Sequence, residues 1–529
     1  MLNGIAIYDF HEMSDFYSFI KPALNKLSEL NVWDSLFVIR QYLTDAVRNY
    51  NLDISHFERI ENHQVCSIPL YLIDFMIQVT LRYSTTHQSE KSMRQLKQRH
   101  KIVGPFHDAY EKANNEQFKD IFVWLKSYML NQFKIQHQEP FDYRVFKYCY
   151  LFSSPSIASY LEDKIGIDVK KYFQLVILFY FIFSEKFSFS YKDLSKYIVG
   201  KGQRFTINEF TVVLDILSAS LSDIKANIKV DFSNKLFLCH NDAIHVSHPI
   251  ISDSGMLYCV APLYILNAGI EGLQYRLDLK SKDNQKLNDD MAARFEDYVG
   301  LQLDYYAKCG KFKHIKELTY NKGQNKTSDW IIYDDNCIMF IDCKLKKLTI
   351  ASIMETELDR NELDRILSEG DFKTKGSIEN LKREQQSPLI KDIIGLGVDL
   401  GKILCCYCDW KEGKIKGLPQ YNESMHFTAS LLMLDECLCG KLELKEYIDA
   451  IAYNYVRERR GIELEGMNTR VISSITLDKN LPYIAEHGLT KYAIEDNYEI
   501  PDKLKIRNSC LHEQFNKMII ERTADEGGQ

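Results

Sequence analysis

Residues 294–347 read RFEDYVGLQLDYYAKCGKFKHIKELTYNKGQNKTSDWIIYDDNCIMFIDCKLKK, and this stretch decides what fold the chain builds. Phe295, Val299, Leu303 and Tyr306 recur at spacings of three and four, which predicts an amphipathic helix with Glu296 bordering its apolar stripe. Lys311 to Tyr320 reads as a strand, and Asn321-Lys322-Gly323-Gln324-Asn325 as a loop of turn formers. Trp330 to Tyr333 and Cys337 to Leu345 read as two more strands, joined by the turn residues Asp334-Asp335-Asn336.

The last of these strands carries the chemistry. Cys337 to Ile341 is apolar throughout, as in a strand buried on both faces. Its end then changes character. Period two puts Asp342, Lys344 and Lys346 on one face and Cys343 and Leu345 on the other. Asp329, at the head of the neighbouring run, comes alongside Asp342 if the two strands pair as a hairpin. Two carboxylates and a nearby lysine suit hydrolysis of a phosphodiester. The carboxylates hold a hard divalent cation through oxygen, and Mg²⁺ keeps positions open for water and phosphate. Such a cation acidifies a water and neutralises phosphate charge. A lysine stabilises the charge that develops.

This arrangement resembles the PD-(D/E)xK nuclease superfamily. Asp329 matches its first acidic position, Asp342-Cys343-Lys344 its (D/E)xK tripeptide, and Glu296 the acid common on the preceding helix. Ser328 stands where many members have proline. The resemblance covers about residues 284–436. It implies a restriction-endonuclease-like α/β domain, a mixed central sheet flanked by helices. It further implies a Mg²⁺-dependent endodeoxyribonuclease in which Mn²⁺ can substitute. Asp329, Asp342, the carbonyl of Cys343 and Glu296 would serve the metal, and Lys344 the attacking water. Lys322, Lys326, Lys346 and Lys347 would meet DNA, with Arg94 and Lys97 as a second basic group. The partner classes it suggests are DNA, a second protein of a defence system and another copy of the chain.

Composition sets the limits. A chain of 529 residues holds about three domains as a starting expectation. Its 45% hydrophobic content, with 32 Tyr and 29 Phe, argues against wholesale disorder. The net charge of −7 excludes a polybasic binder, so any nucleic-acid surface must be a local patch. Thirteen cysteines without framework spacing suggest reduced thiols in a cytoplasmic protein. The opening MLNGIAIYDFHEM does not read as a signal peptide. The most apolar run, Tyr172 to Phe183, is too short to span a membrane, which takes roughly 20 residues, and reads as a core helix.

Four regions are expected. Residues 1–185 read as helical, including Asp15 to Leu30, Trp33 to Tyr50 with Asp34 as cap, and Pro69 to Tyr83. Residues 186–280 read as a small α+β module resembling a winged helix, with helices Tyr191 to Val199 and Asn208 to Leu221 and strands Lys235 to Val246 and Met256 to Ala261. Residues 284–445 form the nuclease-like domain, and 446–529 a mainly helical end. Within the third region, Ile403 to Asp409 and Phe427 to Leu434 read as further sheet strands, and Lys382, Gln385 and Gln386 as auxiliary site residues.

Other motifs fare less well. Gly395 to Lys402 has its first glycine out of register for a P-loop, and Ile403 replaces the Ser or Thr that meets Mg²⁺. Cys405 and Cys408 sit in an apolar strand pattern, and Cys437 and Cys439 do not complete a zinc knuckle. Two alternatives to the nuclease stand. One is a non-catalytic nucleic-acid-binding or scaffold protein. The other resembles HEPN ribonucleases, through Arg82 with His87 or Arg94 with His100.

Overall fold

The computed structural model describes residues 13–50, 70–87, 91–95, 97–98, 101–106, 108, 141–199, 205–228, 244–276, 284–308, 310, 312–320, 324–334, 338–344, 403–409 and 424–430. In chain order the first helices are α1 (Met13–Ser28), α2 (Val32–Tyr50), α3 (Leu70–Tyr83), α4 (Phe141–Phe152), α5 (Pro155–Ile165) and α6 (Val169–Glu185). There follow β1 (Ser188–Ser190), α7 (Tyr191–Val199), α8 (Ile207–Leu217), β2 (Ser218–Ser220), α9 (Leu221–Asn227) and α10 (Ile244–Ser247). Next come β3 (Ile250–Asp253), β4 (Met256–Cys259), α11 (Leu263–Leu266), a π-helical turn (Asn267–Glu271), α12 (Leu273–Arg276) and α13 (Gln285–Lys308). The last described elements are strands: β5 (Lys313–Lys316), β6 (Thr319–Tyr320), β7 (Asn325–Lys326), β8 (Trp330–Tyr333), β9 (Ile338–Lys344), β10 (Ile403–Asp409) and β11 (Ser424–Ser430). The described chain is thus mostly helical, with two small mixed sheets. None of its helices is long and apolar enough to cross a membrane.

Two compact units divide the chain. The first joins Met1–Gln138 to Leu161–Asp278, and the second joins Glu139–Tyr160 to Leu279–Gln529.

In the first unit, α1, α2 and α3 bury a continuous apolar core that includes Leu24, Leu36, Ile39, Ile77 and Leu81. Asn31 starts α2, its Oδ1 accepting the N–H groups of Trp33 at 2.9 Å and Asp34 at 3.2 Å. Asp34, the expected cap, lies inside the first turn and is used elsewhere. The apolar run Tyr172 to Phe183 is the body of α6, capped by Asp168 and buried along most of its length. Arg40 ties α2 to this region by donating to the carbonyls of Ser184 at 2.8 Å and Cys259 at 2.9 Å.

The sheet of this unit has the order β1-β4-β3-β2, antiparallel except for the parallel pair β2–β3. A tight turn joins β3 to β4, with Ser254 at φ 49° and Gly255 at φ 78°, the pattern of a two-residue hairpin loop. The expected helix Asn208 to Leu221 instead stops at Leu217. Ser220 caps a new helix by accepting the Asp223 N–H at 3.0 Å, so β2 fits between the two. The expected strand Lys235 to Val246 is also overturned in its described part, since Ile244–Ser247 is helical.

The π-helical turn has a local cause. A Cβ on Gly269 would stand 2.6 Å from Val176 Cγ1, and the buried Tyr172 hydroxyl donates to the Gly269 carbonyl at 2.8 Å. Backbone meets α6 directly here. Only glycine permits that approach.

The second unit is built on α13. Its core face is Met291, Phe295, Tyr298, Val299, Gln302, Leu303 and Tyr306. Arg294 closes the end of α4, donating to the Tyr150 carbonyl and the Ser153 hydroxyl at 3.0 Å each, with its guanidinium 3.7 Å from the Tyr150 ring centre. The sheet of this unit has the order β11-β10-β9-β8-β5. Strands β5, β8 and β9 are antiparallel, while β9, β10 and β11 run parallel. The single strand expected from Lys311 to Tyr320 divides after Lys316. Leu318 exchanges bonds with Thr327 instead, starting the separate ribbon β6–β7.

The close contact at Gly269 makes a stability prediction. Gly269→Ala should cost about 1–3 kcal/mol by forcing Val176 to move, read as a lowered midpoint in urea denaturation of the full chain. An unchanged midpoint would show that α6 yields freely.

Candidate functional site

The hairpin β8–β9 and the helix α13 hold the residues singled out from the sequence. Trp330 opens β8 and lies 9% exposed. Its indole rests on α13 at Gly300, where a Cβ would come within 2.4 Å of Cζ2. Its Nε1–H donates to the Glu296 carbonyl at 3.0 Å, one helical turn earlier. Side-chain pairs add to this seam: His314 Nε2 is 2.7 Å from Asp304 Oδ1, and Lys316 Nζ is 3.4 Å from Asp297 Oδ1. Exposed pairs of this kind contribute little, so apolar burial and the indole fix the helix.

The register of the hairpin pairs Trp330 with Ile341, Ile331 with Phe340, Ile332 with Met339 and Tyr333 with Ile338. Carried one step further, it would bring Asp329 beside Asp342, the arrangement expected of a paired hairpin. The ladder ends at Trp330–Ile341, and just past it the buried Asp329 carboxylate Oδ2 accepts the Cys343 N–H at 2.6 Å. On the other side of Asp329, its carbonyl accepts the Glu317 N–H at 2.9 Å. Asp329 is therefore fixed between two strands. Alternation puts it on the opposite sheet face from Trp330.

The parallel strand β10 adds to this end of the sheet. Tyr407 is in register with Asp342, Cys408 with Cys343, and Asp409 with Lys344. Asp409 was legible only as the last residue of a core strand. The signal for more was an apolar run ending in an acid, the same signature that marks Asp342. Cys405 and Cys408 are ladder residues within β10.

Other expected site residues are placed differently. Glu296 is partly buried on α13, joined to the hairpin through its carbonyl. Lys326 Nζ is 2.7 Å from Glu317 Oε1, at an exposed edge. In the first unit, Arg94 pairs with Asp34 at 2.9 Å and stacks over Phe37 at 4.7 Å. Lys91 pairs with Glu29 at 3.0 Å, and Lys97 is exposed. Arg82 donates to the Lys225 carbonyl, and His87 is exposed. Lys322, Lys346, Lys347, Lys382, Gln385, Gln386 and His100 lie outside the described residues, as do Gly395 to Lys402, Cys437 and Cys439.

A second polar cluster occurs in the first unit. The buried Tyr264 hydroxyl donates to Asp74 Oδ1, and His245 Nε2 is 3.6 Å from the same oxygen. Burial, with Asp74 adding to it, pushes the Tyr264 phenol well above its ordinary pKa, so it remains a donor. This cluster joins α3 to α10 and α11.

Among the described residues, no three His, Cys, Asp or Glu side chains form a ready-made metal cage. A structural zinc site would need four such ligands. Mg²⁺ does not, because it keeps several waters and takes one or two carboxylates. Asp329, buried and oriented by the Cys343 N–H, is one such carboxylate, and Asp342 would be the second if the register carried one step further. No family model, no curated protein and no solved structure matches this chain.

The Asp329–Cys343 bond separates structure from chemistry. Asp329→Asn keeps an oxygen for the Cys343 N–H and should leave stability nearly unchanged. Asp329→Ala strands that buried donor and should cost about 1–3 kcal/mol in denaturant unfolding. Equal stability of the two variants would show that the bond contributes nothing.

Proposed function

We propose that the chain is a metal-dependent nuclease that hydrolyses phosphodiester bonds in DNA, with the second unit as a restriction-endonuclease-like domain. The observation that carries this reading is the hairpin register. Carried one step past the Trp330–Ile341 pair, it would bring Asp329 beside Asp342 at the strand end, and the Cys343 N–H holds the Asp329 carboxylate. The order of helix, antiparallel hairpin and parallel strand agrees with what the resemblance implies. So does Glu296 on the helix that packs beside the hairpin.

In this reading, Asp329, Asp342 and the Cys343 carbonyl supply hard oxygen donors, and Glu296 adds a further ligand or a nearby charge. When bound, Mg²⁺ lowers the pKa of water and neutralises charge on the scissile phosphate. The Cys343 N–H holds Asp329 in one orientation, so little rearrangement is needed on binding. Lys344, two residues beyond Asp342, orients the attacking water. It also stabilises charge on the phosphate as water oxygen bonds to phosphorus and the ester P–O bond breaks. DNA is the partner, and bacterial defence against phage is the setting, argued by analogy with the superfamily.

Cleavage of plasmid, linear DNA and RNA by the purified chain tests this, with Mg²⁺, Mn²⁺ or EDTA. DNA should be cut only with metal, and Asp342→Ala or Lys344→Ala should lower the rate by at least about a hundredfold. RNA cutting that survives EDTA would overturn the proposal, as would DNA cutting indifferent to both substitutions.

A further inference from the structure

We propose that the open face of α7 and α8 is where a second copy of this chain docks, α7 of each copy lying on α8 of the other. Among the described residues, the large hydrophobic side chains left exposed are Tyr191, Tyr197 and Ile207, at 37%, 37% and 51%. All three fall on this one helix pair. An apolar side chain exposed singly is ordinary, but exposure concentrated in one place marks an interaction surface.

The two helices meet through Tyr191. Its ring packs edge-on against Phe210 at 5.6 Å, and its hydroxyl lies 3.3 Å from that of Thr211. Ile207, Thr211 and Asp215 follow at intervals of four, so they form one stripe of α8 with Tyr191 beside its middle. The exposed Lys192 and Lys196, also four apart, form a stripe on α7. The opposite sides of both helices are buried in the unit, through Leu194 and Ile198 on α7 and Val213 and Leu217 on α8.

Charge identifies the occupant. Asp193 accepts the Ser190 hydroxyl at 2.6 Å, and Glu209 is held by Lys171 at 2.7 Å and by its capping box with Thr206. The acid left outward on α8 is Asp215, exposed and on the same stripe as Ile207. A face that is basic on one helix and acidic on the next complements itself under a two-fold rotation, where residue i meets residue j and j meets i. Lys192 and Lys196 of each copy then meet Asp215 of the other, around an apolar centre. DNA fits this face less well. Residues 200–204, outside the described residues, include Lys201 and Arg204, but α8 itself has no Lys or Arg and Asp215 would repel a phosphate.

The test is sedimentation velocity of the full chain over a concentration series. The wild type should move from monomer to dimer as concentration rises. Ile207→Asp puts a charge at the centre of the face. An acid suits the first turn of a helix, so this variant should fold and stay monomeric throughout. Two charge reversals read the pairing itself. Lys192→Glu with Lys196→Glu, and separately Asp215→Lys, should each weaken association about tenfold or more by setting like charges together. Combined in one chain, they should restore most of it.

A wild type that is monomeric at every concentration would overturn the proposal. A dimer indifferent to Ile207→Asp would place the contact on another surface. Reversals that fail to rescue each other would rule out α7 lying on α8. A monomeric wild type whose binding to duplex DNA is lost with Ile207→Asp would give the face to DNA instead. Should Ile207→Asp lose its helical signal in circular dichroism, the charge reversals decide alone, since all three of their positions are exposed.

Discussion

The antiparallel register of β8 on β9 is the constraint from which the rest of the second unit follows. A slip of one residue would turn every side chain of a strand to the other face. In the observed register Trp330 is paired with Ile341, and Trp330 packs on α13. Ile341 and Cys343 are buried, on alternate positions of the same strand. Asp342 and Lys344 occupy the intervening positions. Apolar packing against the helix thus selects the register. The selected register in turn sets the polar positions at the strand end.

Two polar bonds then fix that end where the ladder runs out. Cys343 N–H binds the Asp329 side chain instead of a strand carbonyl, and Glu317 N–H takes the Asp329 carbonyl. A buried backbone N–H left without a partner would be costly. Asp329 therefore serves the fold even before any ligand is considered. The parallel pairing of β9 with β10 extends the same end sideways, setting Asp409 in register with Lys344.

Much of this was legible from periodicity. Trp330–Tyr333 and Ile403–Asp409 form strands at the bounds read from their apolar runs, and α13 follows the stripe from Phe295 to Tyr306. The failures have local causes. Asp34 and Asn31 are both good capping residues, and only their geometry chooses Asn31, leaving Asp34 to Ser92 and Arg94. Ser220 restarts a helix inside an apolar stretch that reads as continuous. Lys311 to Tyr320 reads as one strand, but Thr327 captures Leu318 and splits it. The Trp330–Gly300 contact was not legible, because nothing in spacing links a glycine in one helix to a tryptophan thirty residues on. Register between β9 and β10 was equally hidden, since parallel partners meet only through a long crossover.

Charge placement bears on how such a site would hold DNA. The helix α8 carries no Lys or Arg and has Glu209 and Asp215, so in this module it brings no phosphate contact of its own. Arg94 and Lys91 face Asp34 and Glu29, and Lys326 faces Glu317. Exposed pairs like these contribute about 0–1 kcal/mol, so a phosphate could displace the acid at small energetic cost. The acid would stay nearby, however, and repel the phosphate that replaced it. The described surface of the first unit is therefore balanced in charge at its basic segment, not a continuous basic track. For the DNA-binding role proposed above, counterion release along this segment would then contribute little. That distribution agrees with a chain whose net charge is −7.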